Sequence, residues 1–301
     1  MSRQSFRPLV SLADRWISRR AHRDPDALAA VRGLDPAVVI TGASRGIGRA
    51  LALRFARAGH TVVLVARNEN ALAAAAAETR HTTGGRAVPF PLDITLADAP
   101  EQIDAALLKA GLFADVLVNN AGIGLAGPFA EQARPDLETL VGLNIGATTR
   151  LMHHALPPML ARGRGGILNV ASLGGLVPGP YQAAYYASKA YLVSLTEAVA
   201  HEARGRGVRI SAVAPGPVDT TFHHAMKAES ALYRTVVPAL SADAVARSAL
   251  RGYLLGRTVI VPGALPSLAA LAVKLLPHGI SVPLVGALLA VGNRPADGGR
   301  I

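Results

Sequence analysis

The stretch VVITGASRGIG, residues 38–48, decides the fold of this chain. Its first four residues are apolar or β-branched and predict a buried strand, and the glycine-rich turn leads into a helical pattern at Leu51, Phe55 and Ala58. Glycines lack Cβ atoms, so the backbone of such a turn can approach a pyrophosphate, and the following helix N-terminus supplies free N–H groups and a partial positive charge. The stretch therefore predicts a phosphate-binding site.

The alternation of strand and helix continues along the chain. Short β-branched runs are separated by longer Ala- and Leu-rich helical stretches, and they lie near residues 37–41, 61–65, 86–92, 115–119, 166–171, 208–214 and 257–261. Such alternation implies right-handed crossovers and a parallel sheet with helices on both faces. We expect an α/β fold, a doubly wound parallel sheet of the Rossmann type in three α/β/α layers. It would span residues 36–262, with a basic, partly helical extension at 1–35 and an apolar helical extension at 263–301.

Composition excludes several classes of function. The chain has no cysteine, so disulfides, thiolate metal sites and cysteine nucleophiles are absent, and no HExxH or similar histidine spacing indicates a metal site. Its net charge of +11 comes from scattered Lys and Arg with only 4% aromatic residues, which does not favour a nucleic-acid partner. No signal peptide is evident. We expect a cytoplasmic protein.

Tyr185 and Lys189 stand four residues apart, which brings a phenol and an ammonium to one face of a helix. A fixed cation beside a tyrosine favours the phenolate and lowers the pKa of the phenol, which makes a proton donor for a carbonyl group. Such a pair occurs by chance in many helices. Here it follows Ser172, thirteen residues upstream at the end of a short apolar run, so two hydroxyls and an ammonium are expected together.

These motifs resemble the short-chain dehydrogenase/reductase family, whose cofactor loop follows TGxxxGxG and whose active site combines Ser, Tyr-x-x-x-Lys and an upstream Asn. The matching segments are, in order, residues 41–48, 119–122, 143–146, 172, 185–189 and 215–220. The resemblance covers about residues 36–262. It implies hydride transfer between a nicotinamide cofactor and a carbonyl or carbinol carbon.

The resemblance also implies a role for each matching residue. Tyr185 would transfer the proton, and Ser172 would hold the carbonyl oxygen. Lys189 would lower the tyrosine pKa and bind the nicotinamide ribose, while Asn144 would interrupt its helix and hold a water that connects Lys189 to solvent. Residues 217–240 would form a substrate lid, or else a long surface excursion. The implied cofactor-binding residues are Gly42, Ser44, Arg45, Gly46, Ile47, Gly48, Arg67, Asp93, Asn120, Ala121, Gly122, Tyr185, Lys189, Pro215, Gly216, Val218 and Thr220.

The end of the second predicted strand favours NADP(H) over NAD(H). An acid at this position would hydrogen-bond the ribose 2′-hydroxyl and repel a 2′-phosphate. This strand instead ends in Ala66 and Arg67, with Arg45 nearby in the glycine loop, and guanidinium groups bind phosphate with paired donors. Asp93 resembles the adenine-contacting acid of the family, although it could equally be a helix N-cap.

Both ends of the chain carry apolar segments. Residues 6–20 predict a basic amphipathic helix, which suits either a membrane surface or packing on the protein body. Residues 264–276 and 279–292 are strongly apolar, and each is too short to span a bilayer. They suit an interfacial hairpin, a substrate entrance or a subunit contact. We expect peripheral membrane contact through the termini, at the inner face of a membrane, and a homo-oligomer, either a dimer or a tetramer.

The sequence therefore predicts an NADP(H)-dependent enzyme that acts on a small apolar carbonyl or alcohol substrate, such as a ketoacyl chain, a retinoid or a steroid. An alternative is a catalytically silent dinucleotide-binding sensor or membrane-associated scaffold. Intact Ser172, Tyr185 and Lys189 argue against this alternative, because a protein without catalysis has no chemical need for the three side chains. A nucleotide-sugar epimerase is disfavoured because the chain lacks TGxxGxxG and a longer C-terminal domain.

Overall fold

The computed structural model of the protein describes residues 3–220, 222, 226, 239–263 and 276–290. Its central sheet is built from β1 (Asp35–Thr41), β2 (Thr61–Ala66), β3 (Ala87–Pro91), β4 (Leu112–Asn119), β5 (Gly165–Val170), β6 (Val208–Val213) and β9 (Val259–Ile260). All seven strands are parallel, in the order β3-β2-β1-β4-β5-β6-β9. The predicted doubly wound sheet is confirmed, and every strand starts and ends within about three residues of its predicted position. Two short strands, β7 (Val218–Asp219) and β8 (Leu240–Ser241), pair beside it.

The helices of the described residues are α1 (Arg3–Ile17), α2 (Pro25–Ala29), α3 (Gly46–Arg57), α4 (Glu69–Thr83), α5 (Ala99–Lys109), α6 (Arg134–Val141), α7 (Thr148–Arg162), α8 (Ala183–Glu202), α9 (Ala242–Leu254) and α10 (His278–Leu289). A π-helical turn at Gly142–Ala147 joins α6 to α7. Helices α3, α4 and α9 cover one face of the sheet, and α5, α7 and α8 cover the other. This is the expected three-layer arrangement.

The first strand shows why its sequence is apolar throughout. Val38 and Ile40 pack in the core under α3, α4 and α9, whereas Ala37 and Val39 pack in the core under α5 and α7. Successive side chains of a strand point to opposite faces, so a strand covered on both sides must be apolar at every position.

The two extensions lie at opposite edges of the sheet. After α1, the Gly207 amide donates to the Ile17 carbonyl (2.9 Å) and the Arg20 amide donates to the Gly205 carbonyl (2.7 Å), which places this segment beside the start of β6. Helix α10 instead reaches the carboxyl edge, where Val285 lines the main cleft. The apolar residues 264–275 lie outside the described residues. None of the helices in the described ranges has the length and hydropathy to cross a bilayer.

Candidate active site

A cleft of about 1010 Å³ opens at the carboxyl edge of the sheet. In parallel α/β sheets the loops that leave the strands converge at this edge, so side chains far apart in sequence can share one cavity. The predicted site residues that line it are Gly42, Ser44, Arg45, Gly46, Ile47, Arg67, Asp93, Asn120, Ala121, Gly122, Ser172, Tyr185, Lys189, Pro215, Gly216, Val218 and Thr220. Gly48 and Asn144 were also predicted to act there, and they do not line the cleft.

The glycine loop after β1 has the form that a dinucleotide phosphate requires. Gly42 has φ +64°, and a Cβ on it would lie 2.8 Å from Ala121 Cα, so both conformation and space demand glycine. Arg45 occupies the N-cap of α3 without a side-chain capping bond. The first N–H groups of α3 are therefore not capped by that side chain, and they can bind an anion within the cleft.

Gly48, which the resemblance assigns to cofactor binding, does not line the cleft. A Cβ at this position would lie 2.4 Å from both Asn120 Nδ2 and the Gly42 carbonyl oxygen. The close packing of the helix on the two loops is therefore sufficient to require glycine here. The Asn120 amide also has a structural task, since its Nδ2 donates to the carbonyls of Thr41 (2.9 Å) and Gly42 (3.1 Å).

Thr41 is a site-organising residue that the predicted list omits. Its hydroxyl donates to the Val118 carbonyl (3.3 Å) and accepts from the amides of Asn120 (3.0 Å) and Ala121 (3.1 Å). The side chain is 1% exposed, so it ties the end of β1 to the loop after β4 from within the core. A hydroxyl that ends an apolar strand immediately before glycine was the available sequence signal.

Lys189 and Tyr185 lie together on α8, as their spacing predicts. Lys189 Nζ donates to the Val170 carbonyl at 2.9 Å and lies 5.8 Å from the centroid of the Tyr185 ring. Only 6% of Lys189 is exposed, and this burial lowers the pKa of its ammonium from 10.5 to about 8. The Tyr185 ring is itself buried and packs against Phe222, with ring centroids 5.7 Å apart.

Asn144 acts behind the cleft rather than in it. It lies in the π-helical turn, where its Oδ1 accepts from the Ile123 amide (2.9 Å) and its Nδ2 donates to the Ile123 carbonyl (2.8 Å) and to Ser188 Oγ (3.1 Å). Ser188, which the predicted list also omits, donates its hydroxyl to the Tyr185 carbonyl at 2.7 Å. Both amide hydrogens of Asn144 are thus engaged in fixing the loop after β4 and the helix that carries Tyr185.

Ser172 stands at the end of β5 and faces the cleft. Its Oγ accepts from the Gly174 amide at 3.1 Å, which fixes the side chain at the start of a short helical turn. No acceptor for the hydroxyl proton is found in the part of the chain that the structure describes. The proton can therefore be donated to a substrate oxygen.

The opposite end of the cleft is exposed. The Arg67 side chain is 72% exposed, and its Nη1 lies 3.9 Å from Asp93 Oδ2. Asp93 Oδ1 accepts from the Thr95 amide (2.9 Å) and hydroxyl (2.7 Å), and these bonds lower the pKa of the carboxyl. The N-cap alternative for Asp93 is wrong, because it closes a turn and Asp98 is the N-cap residue of α5.

Of the predicted lid, residues 217–240, the structure describes 217–220, 222, 226, 239 and 240. Phe222 and Met226 are the described residues in the middle of this segment. Both line the cleft and belong to the apolar cluster around Tyr185. A Cβ on Gly124 would lie 2.4 Å from Met226 Sδ, so the glycine leaves the space that this methionine occupies. The remaining lid positions, including His223 and His224, lie outside the described residues.

Comparison with known proteins gives consistent matches for the core of the chain. The family described as short chain dehydrogenase matches residues 36–231. A ketoacyl reductase of Nostoc sp. is 37% identical over 187 residues, which are 61% of this chain and 64% of that protein. Across the first three curated relatives the match spans 64%, 52% and 59% of their length.

Solved structures extend the match over most of the chain. A short-chain dehydrogenase from Sphingobium yanoikuyae in complex with NADPH is 32% identical and covers 79% of this chain and 92% of its own, with a TM-score of 0.69. A short-chain dehydrogenase/reductase from Burkholderia phymatum in complex with NAD is 29% identical and covers 82% and 94%, with a TM-score of 0.73. The fold, the glycine loop and the matched residues lead to one conclusion: this chain belongs to the short-chain dehydrogenase/reductase family.

Proposed function

We propose that this chain is an NADP(H)-dependent oxidoreductase that interconverts a carbonyl group and a secondary alcohol on an apolar substrate. The observation that carries the proposal is the convergence of Ser172, Tyr185 and Lys189 on one cleft with the glycine loop. A cleft of about 1010 Å³ stands at the upper end of the range for ligand sites, so it suits a dinucleotide and a substrate together.

The three side chains divide the catalytic work. Tyr185 gives its hydroxyl proton to the carbonyl oxygen in reduction and takes it back in oxidation. Ser172 donates a hydrogen bond to the same oxygen and stabilises the negative charge that develops in the transition state. Lys189, held on the Val170 carbonyl, stabilises the phenolate that the transfer leaves behind. NADPH, when bound, supplies the hydride.

The residues of the glycine loop and of the β2 end would hold the cofactor. The N–H groups at the start of α3, which the Arg45 side chain does not cap, suit the pyrophosphate, and Gly42 permits its close approach. Arg45 and Arg67 are exposed at the rim of the cleft, and they favour a 2′-phosphate because guanidinium groups bind phosphate in pairs of hydrogen bonds. Solved relatives carry NADPH in one case and NAD in another, so the choice between them rests on these arginines.

The substrate end of the cleft favours an apolar molecule. Phe222 and Met226 pack in the apolar cluster around Tyr185, and Leu143 and Val177 add further apolar side chains to the cleft lining. The related protein from Nostoc sp. is named a ketoacyl reductase. We therefore propose a ketoacyl, retinoid-like or steroid-like carbonyl as substrate.

NADPH oxidation in the presence of aldehydes, ketones and acyl thioesters tests the proposal. Tyr185→Phe should lower kcat by at least about a hundredfold with NADPH affinity retained, because only the proton-transferring hydroxyl is removed. Tyr191→Phe is the matched control, since Tyr191 lies on the same helix and its hydroxyl bonds Thr149 at 2.9 Å, outside the cleft. Near-parental turnover by Tyr185→Phe contradicts the mechanism. A parent that binds NADPH and reduces no carbonyl supports the silent sensor instead.

We also propose that the end of α1 contacts an anionic membrane surface. Trp16 is 48% exposed, with the guanidinium groups of Arg19 and Arg204 at 4.9 and 5.9 Å from its ring. An exposed tryptophan among arginines suits the boundary between lipid headgroups and water. This patch lies at the amino edge of the sheet, so it would hold the cleft away from the lipid surface rather than against it.

Flotation with anionic and neutral liposomes tests this contact. The parent should float with anionic vesicles, and Trp16→Ser combined with Arg19→Ser should stay in the lipid-free fraction. Arg134→Ser, at an exposed arginine on α6, is the control for charge alone.

Substitutions on the exposed face of α10, which carries Ile280 and Leu284, test the predicted oligomer. If Ile280→Glu with Leu284→Glu converts an oligomer to monomer without changing flotation, that face is a subunit contact.

A further inference from the structure

The last turn of α10 enters the cleft, although the helix lies about a hundred residues after the catalytic tyrosine. Ser281, Val285 and Leu289 recur at four-residue spacing and are all buried, so this stripe faces the protein body. Ile280 and Leu284 on the neighbouring stripe are 56% and 47% exposed. Both stripes thus carry apolar side chains, and among the described residues only the first stripe is covered.

The helix rests on the loop that leads to Tyr185. A Cβ on Gly286 would lie 3.3 Å from Pro180 Cγ, which shows how closely the helix backbone approaches this loop. Tyr181, the next residue, has φ +63°, a backbone conformation that residues other than glycine rarely adopt. Its carbonyl accepts from the Gly127 amide at 2.8 Å. The contact between α10 and this loop therefore fixes the helix relative to the reacting group.

Val285, Leu288 and Leu289 line the same cleft as Tyr185 and Ser172. Val285 and Leu289 are buried and serve mainly to hold the helix in place. Leu288 is partly exposed and still lines the cleft, so its side chain is accessible to a molecule within it. Leu284, one turn earlier, does not line it.

We propose that α10 forms the apolar wall of the substrate cavity and that Leu288 sets the length of the apolar chain that the enzyme accepts. This inference rests on the proposed function and adds the residue that selects the substrate. Each methylene group that leaves water for an apolar wall strengthens binding by about three- to fourfold. If the apolar chain of the substrate contacts this wall, KM should fall stepwise as the substrate is lengthened. It should then level off when the cavity is full.

The experiment compares three proteins on straight-chain methyl ketones of graded length. In the parent, KM should fall by about threefold per methylene group. Leu288→Trp fills the cavity and should abolish this gain, with the largest loss for the longest ketones. Leu288→Ser should weaken the gain at every length. Leu284→Ser is the matched control, because it removes the same side chain from the same helix outside the cleft, and it should behave as the parent.

A second readout separates this inference from the proposed function. Calorimetric binding of straight-chain alcohols to the NADP-loaded protein measures chain-length preference without turnover. If alcohol binding depends on chain length and Leu288→Trp abolishes that dependence, the role of α10 as the wall is supported. If no ketone is reduced at the same time, only the proposed function fails. Turnover whose length dependence is the same in the parent and both Leu288 variants overturns the wall alone. Absence of both turnover and length-dependent binding overturns both.

Discussion

The two ends of the cleft are built in opposite ways. At the inner end Lys189, and Asn144 behind the cleft wall, are 6% and 2% exposed, and their polar groups bond to protein atoms. At the outer end the Arg67 side chain is 72% exposed, with one distant ion pair to Asp93. The inner end is therefore held in place by the fold, whereas the outer end relies on charge and can become ordered when an anion binds.

This difference separates two kinds of contribution. A side chain that the fold holds in position can stabilise a transition state without reorganisation, so its loss should lower kcat. An exposed arginine contributes affinity that salt weakens. Substitutions at the two ends should therefore differ in which kinetic constant changes as well as in size.

The largest effect is expected from Lys189→Met. Removal of the ammonium should lower kcat by about a thousandfold, because the phenolate left on Tyr185 loses its neighbouring cation. Lys109→Met, at an exposed lysine, should leave kcat unchanged. Single-turnover measurement of NADPH oxidation tests the difference. Equal rates of NADPH oxidation in the two variants would show that the buried Lys189 contributes no more to catalysis than an exposed lysine does.

Asn144→Ala should affect both stability and turnover. The substitution leaves the amide and carbonyl of Ile123 without their partners, which costs about 2–3 kcal/mol of the free energy of unfolding. We expect kcat to fall by about ten- to a hundredfold, since the loop and the helix beneath Tyr185 lose a common anchor. Urea unfolding and steady-state kinetics measure the two effects. Loss of stability with kcat intact would make Asn144 purely structural.

The pH dependence should follow Lys189. Its pKa of about 8 in the folded protein lies below the 10.5 of the free side chain. Turnover in the reducing direction should therefore fall as pH rises through about 8, where the ammonium is lost. Between these two pH values the unfolded chain binds the proton and the folded chain does not, so the free energy of unfolding should rise with pH by up to about 3 kcal/mol. In Lys189→Met both trends should be absent, and if they persist another group is responsible.

The smallest effect is expected at the outer end. Arg67→Ala should weaken NADPH binding by about tenfold and leave NADH binding nearly unchanged, because only the 2′-phosphate interacts with the guanidinium. Added salt should reduce the difference between parent and variant. Arg32→Ala, at an exposed arginine outside the cleft, is the control. Titration of both cofactors into each protein measures these affinities. Equal affinities of the parent for NADPH and NADH would show that the arginines have no role in cofactor choice.

Local patterns were sufficient to predict the sheet and the position of most of the site. Strands such as β1 are buried on both faces and can therefore be recognised in the sequence as apolar runs. The topology of parallel sheets brings the carboxyl ends of these strands together. The Tyr185–Lys189 pair was predictable for the same reason, since helical spacing alone places both on one face. These inferences need no knowledge of long-range packing.

Residues that act through long-range hydrogen bonds were not predictable in this way. Thr41 and Ser188 are small buried hydroxyls whose partners lie up to 80 residues away. The position of Thr41 before the glycine loop draws attention to it, but no local pattern indicates which groups either hydroxyl bonds. Gly48 and Asn144 matched motif positions, but the motif does not say whether a residue faces the ligand or supports one that does. The docking of α10 on the cleft was one of three open alternatives, because a helix with apolar residues on every side carries no directional pattern.

The π-helical turn at Gly142–Ala147 makes the number of residues in this helix as important as their identity. Its hydrogen bonds close over five residues instead of four, so the turn takes in an extra residue. Deletion of Gly146 would let α6 and α7 join as one regular helix, and would shift Asn144 from the place where it bonds Ile123 and Ser188. A scan of single-residue deletions should therefore inactivate the protein at positions of this turn, such as Gly146, where a substitution is tolerated.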